Sequence, residues 1–340
     1  MKLITFLNIN KEKRLGILIN NLIADVELEA KNYSINLPNN MLELLNNWEN
    51  NYISLKELEN KLKNNEFNIQ KTNYPLLSPL PNPVSCRDGY AFRQHVAAAR
   101  RNRGVPMIEE FDQYPIFYFT NHNAIFGEGE ITLELDHFEK LDFELEWAVI
   151  LGKKGKNIDS KEADNYIAGF TIMNDWSARR LQMEEMLLNL GPAKGKDFAT
   201  SLGPYMITLD ELEDKRIETE FGNLFDLEMK AYHNGRMISL GNTKDMTWTF
   251  AEIIERASYG VEVFPGDVIG SGTVGTGCYL ELNGTWQLEA KEKGEEFTPI
   301  WLQPNDEIIL EVERLGQLKN TVKLSNNNVS ILKKKKNVKN

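Results

Sequence analysis

Hydrophobic positions along this 340-residue chain fall into two regimes. Over residues 1–74, short strand-like runs (Leu3 to Leu7, Leu15 to Ile19, Leu22 to Val26) precede two stretches with helical spacing, NNMLELLNNWENN and SLKELENKLKNN. In the second, Ser54 and Glu57 have the spacing of a capping box. This pattern predicts a small α+β unit. The run YPLLSPLPNPV has prolines at 75, 79, 81 and 83, which exclude helix and disfavour an inner strand, so residues 75–84 read as a linker. From 85 to 325 short alternating strands dominate. HNGR at 233–236 predicts a type I′ hairpin, and FPGDV at 264–268 a turn. Helical patterns interrupt the strands at about 89–103, 160–166, 176–189 and 250–258, the last opened by Thr249 and Glu252 at capping-box spacing. Residues 326–340, rich in Asn and Lys, lack an apolar period and read as a disordered basic tail. The expected fold class is mainly β with helices packed on or around the sheets (α+β).

One strand breaks its own pattern. In FELEWAVILG, residues 143–152, alternation puts Phe143, Leu145, Trp147 and Val149 on one face and Glu144, Glu146, Ala148 and Ile150 on the other. Two carboxylates thus enter a face that turns apolar within two residues. Left unpaired there they would repel one another and lose hydration, so something positive should hold them. Lysines across an exposed strand end would suffice. Two further acids sit near apolar runs: Asp175 ends AGFTIMND and could cap the helix after it, and Asp88 opens RDGYAFRQHVAAARRNRG. If that stretch is one helix closed by Gly104, Asp88 and His95, seven residues apart, share a face about two turns apart. Each is equally explained as an N-cap and a hydrogen-bonded helix residue.

Charge and composition narrow the function. A net charge of -11 disfavours binding to nucleic acid or an anionic membrane surface. With 41% hydrophobic residues and no run of 18 apolar ones, the chain should form a globular core without a membrane span. Two separated cysteines, Cys86 and Cys278, make neither a disulfide framework nor a zinc site. Together with an N-terminus lacking a signal-peptide core, they point to the cytoplasm. His122, His137 and His233 fall in a loop, a charged turn and a hairpin, and read as non-catalytic.

Taken in order and spacing, LDFELEWAVILGKKGKNI, GFTIMNDWSARRLQ and LGPAKGKDFATSLGP resemble the fumarylacetoacetate hydrolase superfamily, the similarity running over at least residues 75–312. The Pro-rich lead into SCRDGYAF is similar to members carrying an extra N-terminal domain, as the fumarylacetoacetases do. What the resemblance implies is a mixed β-sandwich roll, commonly a homodimer, with Asp88, Glu144, Glu146 and Asp175 as metal ligands. An all-oxygen shell suits a hard dication, Mg²⁺ or Ca²⁺ with Mn²⁺ as an alternative. The implied catalytic residues are His95 as general base, Glu281 orienting its ring, and Lys196. Implied substrate contacts are Tyr90, Tyr118, Arg179, Gln182 and Thr273, the last in the glycine-rich GSGTVGTG. The implied reaction is hydrolysis of a carbon–carbon bond in a 1,3-diketo acid, foremost fumarylacetoacetate to fumarate and acetoacetate, as in tyrosine degradation. Sibling activities are acylpyruvate hydrolysis, oxaloacetate decarboxylation and 2-oxo acid hydration or isomerisation. The pattern departs from the animal fumarylacetoacetases at two pocket positions: an arginine after the histidine meets Gly104, with Arg101 and Arg103 adjacent, and a tyrosine meets Met186. Both departures touch the substrate pocket rather than the metal shell.

Overall fold

The computed structural model describes residues 1–64, 74–327 and 329–334. Among these, ten strands form one sheet in the order Leu22–Asp25, Lys13–Ile19, Lys2–Leu7, Thr200–Ile207, Ile167–Asp175, Leu145–Leu151, Asp267–Gly270, Ser85–Gly89, Phe117–Thr120, with Ile125–Phe126 pairing beside Thr200–Ile207. A second sheet of five strands runs Arg236–Asn242, Glu228–His233, Glu307–Val312, Gly316–Leu324, Gly129–Leu133. Both mix parallel and antiparallel pairs.

The alternation in Leu145–Leu151 explains the layering. Leu145, Trp147, Val149 and Leu151 enter a core shared with the five-stranded sheet (Met229, Leu310, Leu318) and with the helix Phe250–Ser258. There the Trp147 ring stacks on Phe170 at 4.8 Å, and its Nε1 donates to Met246 Sδ. Ala148 and Ile150 enter a second core, roofed by N-terminal helices through Val26, Leu44, Leu55, Leu58 and Leu62. A strand covered on both faces must be apolar throughout, as AVIL is.

The unit expected over residues 1–74 has no sheet of its own. Lys2–Leu7 pairs antiparallel with Thr200–Ile207 (Lys2 opposite Ile207, Leu3 opposite Met206), so its three strands extend the large sheet. The Pro-rich stretch lies against its edge: Leu7 N donates to Pro75 O and Leu77 N to Thr5 O. Ser54 opens no helix, because Trp48–Asn64 is continuous. Val26 begins the helix Val26–Asn32, capped by Asp25, rather than ending a strand. In the tail, Ile331 N and Leu332 N donate to Asp136 Oδ2, so the backbone there is tied down; residues 335–340 lie outside the described residues.

Turn chemistry read from sequence agrees with the backbone. His233 pairs with Arg236, and Asn234 and Gly235 have φ of 48° and 79°, as a type I′ turn requires. Thr249 and Glu252 form the reciprocal capping box that opens Phe250–Ser258. The helix Tyr279–Lys293 was not legible in the sequence, because Gly284 interrupts its pattern. A Cβ there would approach the Asn102 side chain to 2.6 Å, so the glycine permits close contact with the neighbouring helix Arg93–Asn102.

Candidate active site

Four neighbouring strands bring the acidic residues to one end of the large sheet. Glu146, near the start of Leu145–Leu151, pairs with Met173, two residues before Asp175 at the end of its strand. On the other side, Gly270 stands between Ala148 and Asp88, and Asp88 pairs with Tyr118. Gly270 is the gap that lets the acids meet. A Cβ there would lie 2.6 Å from Asp88 Oδ1 and 2.7 Å from Met173 Sδ. Asp88 therefore sits on the strand Ser85–Gly89 and His95 on the separate helix Arg93–Asn102, not on one shared helix. Asp175 is a strand residue and caps nothing, since Ser177–Ala178 intervenes before the helix Arg179–Met186.

Asp88, Glu144 and Glu146, all buried, each offer an oxygen within 4.8 Å of the others. Asp175 is outside that group but joined to it by Lys196, whose Nζ lies 2.5 Å from Glu144 Oε2 and 2.7 Å from Asp175 Oδ2. Arg179 Nη2 donates to Glu144 Oε1 at 2.7 Å, and its Nη1 to Gln182 Oε1 at 3.0 Å. Lys196 and Arg179 thus supply the positive charge that Glu144 required, and Glu146 bonds to neither. Tyr118 donates its hydroxyl to Asp175 Oδ2, Thr273 Oγ1 donates to Glu146 Oε1 at 3.4 Å, and Gly272 N donates to Asp88 Oδ1 at 3.1 Å.

The electrostatics split the acids into two kinds. Burial pushes Asp88 up to about 8, with the charge of Asp175 adding to it, and burial likewise raises Glu146 and Asp175. Burial also works against the Glu144 carboxylate, but Lys196 and Arg179 outweigh it and hold the group down to about 2. If all four ionised, the carboxylates would outnumber the one ammonium and one guanidinium that face them. Glu146 Oε2 and Asp175 Oδ1 are buried with no hydrogen-bond partner. Orphaned acceptors in an oxygen-only, anionic shell fit a hard divalent cation.

The second constellation adjoins the first. His95 Nδ1 lies 2.5 Å from Glu281 Oε2, both side chains buried, and the other Glu281 oxygen accepts from Thr276 N at 3.0 Å. The Tyr90 ring stands edge-on to His95, its centroid 6.0 Å away. Hydrogen bonds thus join Glu144, Asp175, Lys196, Arg179, Gln182 and Tyr118 in one network, while His95, Glu281 and Tyr90 form another, whose imidazole acts electrostatically on Glu144. The sequence reading missed two supports. Glu185 accepts the backbone N–H groups of Ala193, Lys194 and Gly195, fixing the loop that presents Lys196. Asp142, two residues before Glu144 and fully buried, binds Arg179. Among the other histidines, His137 Nδ1 accepts from Glu134 N, and His233 contacts Tyr279 and Asp306 on its two ring nitrogens.

The chain is similar to several known proteins. The mitochondrial oxaloacetate tautomerase FAHD2B of Bos taurus is 29% identical over 84% of this chain and 80% of its own length. The fumarylacetoacetase of Oryza sativa is 32% identical, over 51% of this chain and 46% of its own. Among solved structures, maleylpyruvate hydrolase from Sphingobium, in complex with manganese(II) and pyruvate, superposes with a TM-score of 0.66 at 20% identity, covering 96% of this chain and all of that one. The profile described as fumarylacetoacetate (FAA) hydrolase C-terminal matches residues 85–323, about 70% of the sequence, and on that match the chain belongs to the fumarylacetoacetate hydrolase family.

Proposed function

We propose that this protein is a divalent-metal-dependent hydrolase that cleaves a carbon–carbon bond in a short 1,3-diketo acid. The observation that carries the reading is the His95–Glu281 pair, formed and buried, together with the buried acidic cluster of Asp88, Glu144 and Glu146. Asp88, Glu144, Glu146 and Asp175 would hold the cation, Mg²⁺, Ca²⁺ or Mn²⁺, which when bound supplies Lewis-acid polarisation of a carbonyl. Glu281 holds Nδ1–H of His95, leaving Nε2 to take a proton from water. The water oxygen bonds to the carbonyl carbon, the bond to the neighbouring carbon breaks, and its electron pair leaves on that carbon. Lys196, with Gln182, stabilises the developing negative charge before the carbon takes up the proton that His95 removed from water. Tyr90, Tyr118, Arg179 and Thr273 line the space around the acids and would orient the acid groups of the substrate. No serine nucleophile is needed.

A second reading is supported by extent of similarity: the Bos taurus tautomerase matches four-fifths of the chain, the Oryza fumarylacetoacetase about half. Tautomerisation of oxaloacetate also needs a base and a polarised carbonyl, but moves only a proton. Turnover in ¹⁸O-labelled deuterated water separates the two. With fumarylacetoacetate or an acylpyruvate plus Mn²⁺, hydrolysis places one solvent oxygen in a product carboxylate. Faster enol–keto exchange of oxaloacetate, with deuterium at C3 and no bond cleavage of any diketo acid, would replace the first reading by the second. Loss of both activities in EDTA is expected. In the same reading the chain works as a cytoplasmic homodimer, checked by sedimentation and cell fractionation. Among the described residues no helix is long and apolar enough to cross a membrane.

A further inference from the structure

We propose that Asp142 is a positioning residue that ties the proposed metal shell to the His95–Glu281 pair; the inference deepens the function proposed above and rests on it. The Asp142 side chain is fully buried and meets donors from two directions. On one side, Oδ2 accepts from Arg179 Nε at 2.8 Å, with Arg179 Nη2 also at 2.8 Å, and that same Nη2 lies 2.7 Å from Glu144 Oε1. On the other, Oδ1 accepts from Tyr279 N at 2.8 Å and Oδ2 from Leu280 N at 2.9 Å, the first two amides of the helix Tyr279–Lys293.

The N-terminus of that helix has no side-chain cap of its own. Cys278 stands at the N-cap without a side-chain hydrogen bond, so Asp142 satisfies the free amides from another strand and faces the positive end of the helix. The next residue is Glu281, whose carboxylate holds His95. One carboxylate thus sets where the base-orienting acid begins and how Arg179 is aimed at Glu144. Only a carboxylate can do this. An asparagine at 142 has one acceptor oxygen and an NH₂ that must turn toward another donor, either Arg179 or a helix amide.

The test uses the full chain in three variants: Asp142→Asn, Asp142→Asn with Cys278→Ser, and Arg179→Lys. Two readouts are taken: Mn²⁺ affinity from the EPR signal of free Mn²⁺, and the ¹H NMR signal of the His95 Nδ1 proton shared with Glu281. Asp142→Asn is expected to weaken Mn²⁺ binding at least about tenfold, as loss of outer-shell support does, and to lose the Nδ1 proton signal to exchange. Adding Cys278→Ser gives the helix a hydroxyl cap and restores the signal but not the affinity. Arg179→Lys weakens Mn²⁺ binding and keeps the signal. The proposal is overturned if Asp142→Asn leaves both readouts as in the parent, or if Cys278→Ser restores both, which is the behaviour of a plain helix cap. Should Asp142→Asn not fold, unchanged Mn²⁺ affinity in Arg179→Lys overturns it equally. A parent chain that takes up no Mn²⁺ defeats the proposed function instead, and the proton signal then decides Asp142 by itself.

Discussion

Replacing Gly270 by alanine adds one methyl group at the point where the acids converge. Its backbone dihedrals lie outside the left-handed region, so any effect comes from space alone. The new Cβ would stand 2.6 Å from Asp88 Oδ1, and ordinary contact begins at 3.4 Å, so the carboxylate must retreat by about 0.8 Å or the Met173 thioether, at 2.7 Å, must move as well. Metal–oxygen distances tolerate only about 0.2 Å, so Asp88 would cease to serve as a ligand and Mn²⁺ affinity should fall on the order of 100-fold or more. The fold should suffer far less. Overpacking by one methyl costs about 1–3 kcal/mol. With an unfolding entropy of ~2.1 cal/mol/K per residue over a chain of this length, that corresponds to a fall in Tm of roughly 1–4 °C. The assay is isothermal titration of the metal-free protein with Mn²⁺ alongside a calorimetric melt. Affinity within threefold of the parent at an unchanged Tm would refute the placement of Asp88 in a metal shell that depends on the glycine gap.

Three other changes probe separate parts of the account. Lys196→Met strands the buried Glu144 and Asp175 carboxylates; in urea unfolding it should cost about 3–5 kcal/mol in the metal-free protein, and a loss below 1 kcal/mol would mean the acids are already protonated or hydrated. Glu281→Gln should lower kcat by roughly 10²–10⁴ while Mn²⁺ affinity holds, as measured by steady-state turnover of a diketo acid, because the imidazole loses its orienting charge and not a ligand. Thr249→Ala removes a capping box that bonds to none of the acids and should cost about 1 kcal/mol with kcat unchanged, so any loss of turnover in the folded variant counts against the assigned site boundary.

Sequence by itself determined much of the local chemistry. The alternation in FELEWAVIL fixed which residues enter each of the two cores, NG at 234–235 set a hairpin, and Thr249 with Glu252 set a helix start, because each depends on neighbours within a few positions. The motif pattern also singled out Asp88, Glu144 and Glu146, which the fold gathers. Tertiary structure decided how they meet. Asp88 and His95 reach the same place from a strand and a helix rather than from one helix face. The N-terminal strands join the large sheet because unpaired strand edges and half-covered faces are completed by whatever the fold brings alongside. Asp142 carries no local signal of its role, and its link to a helix 137 residues onward exists only through long-range packing. No local pattern records the environment of a buried charge, since that depends on every segment surrounding it.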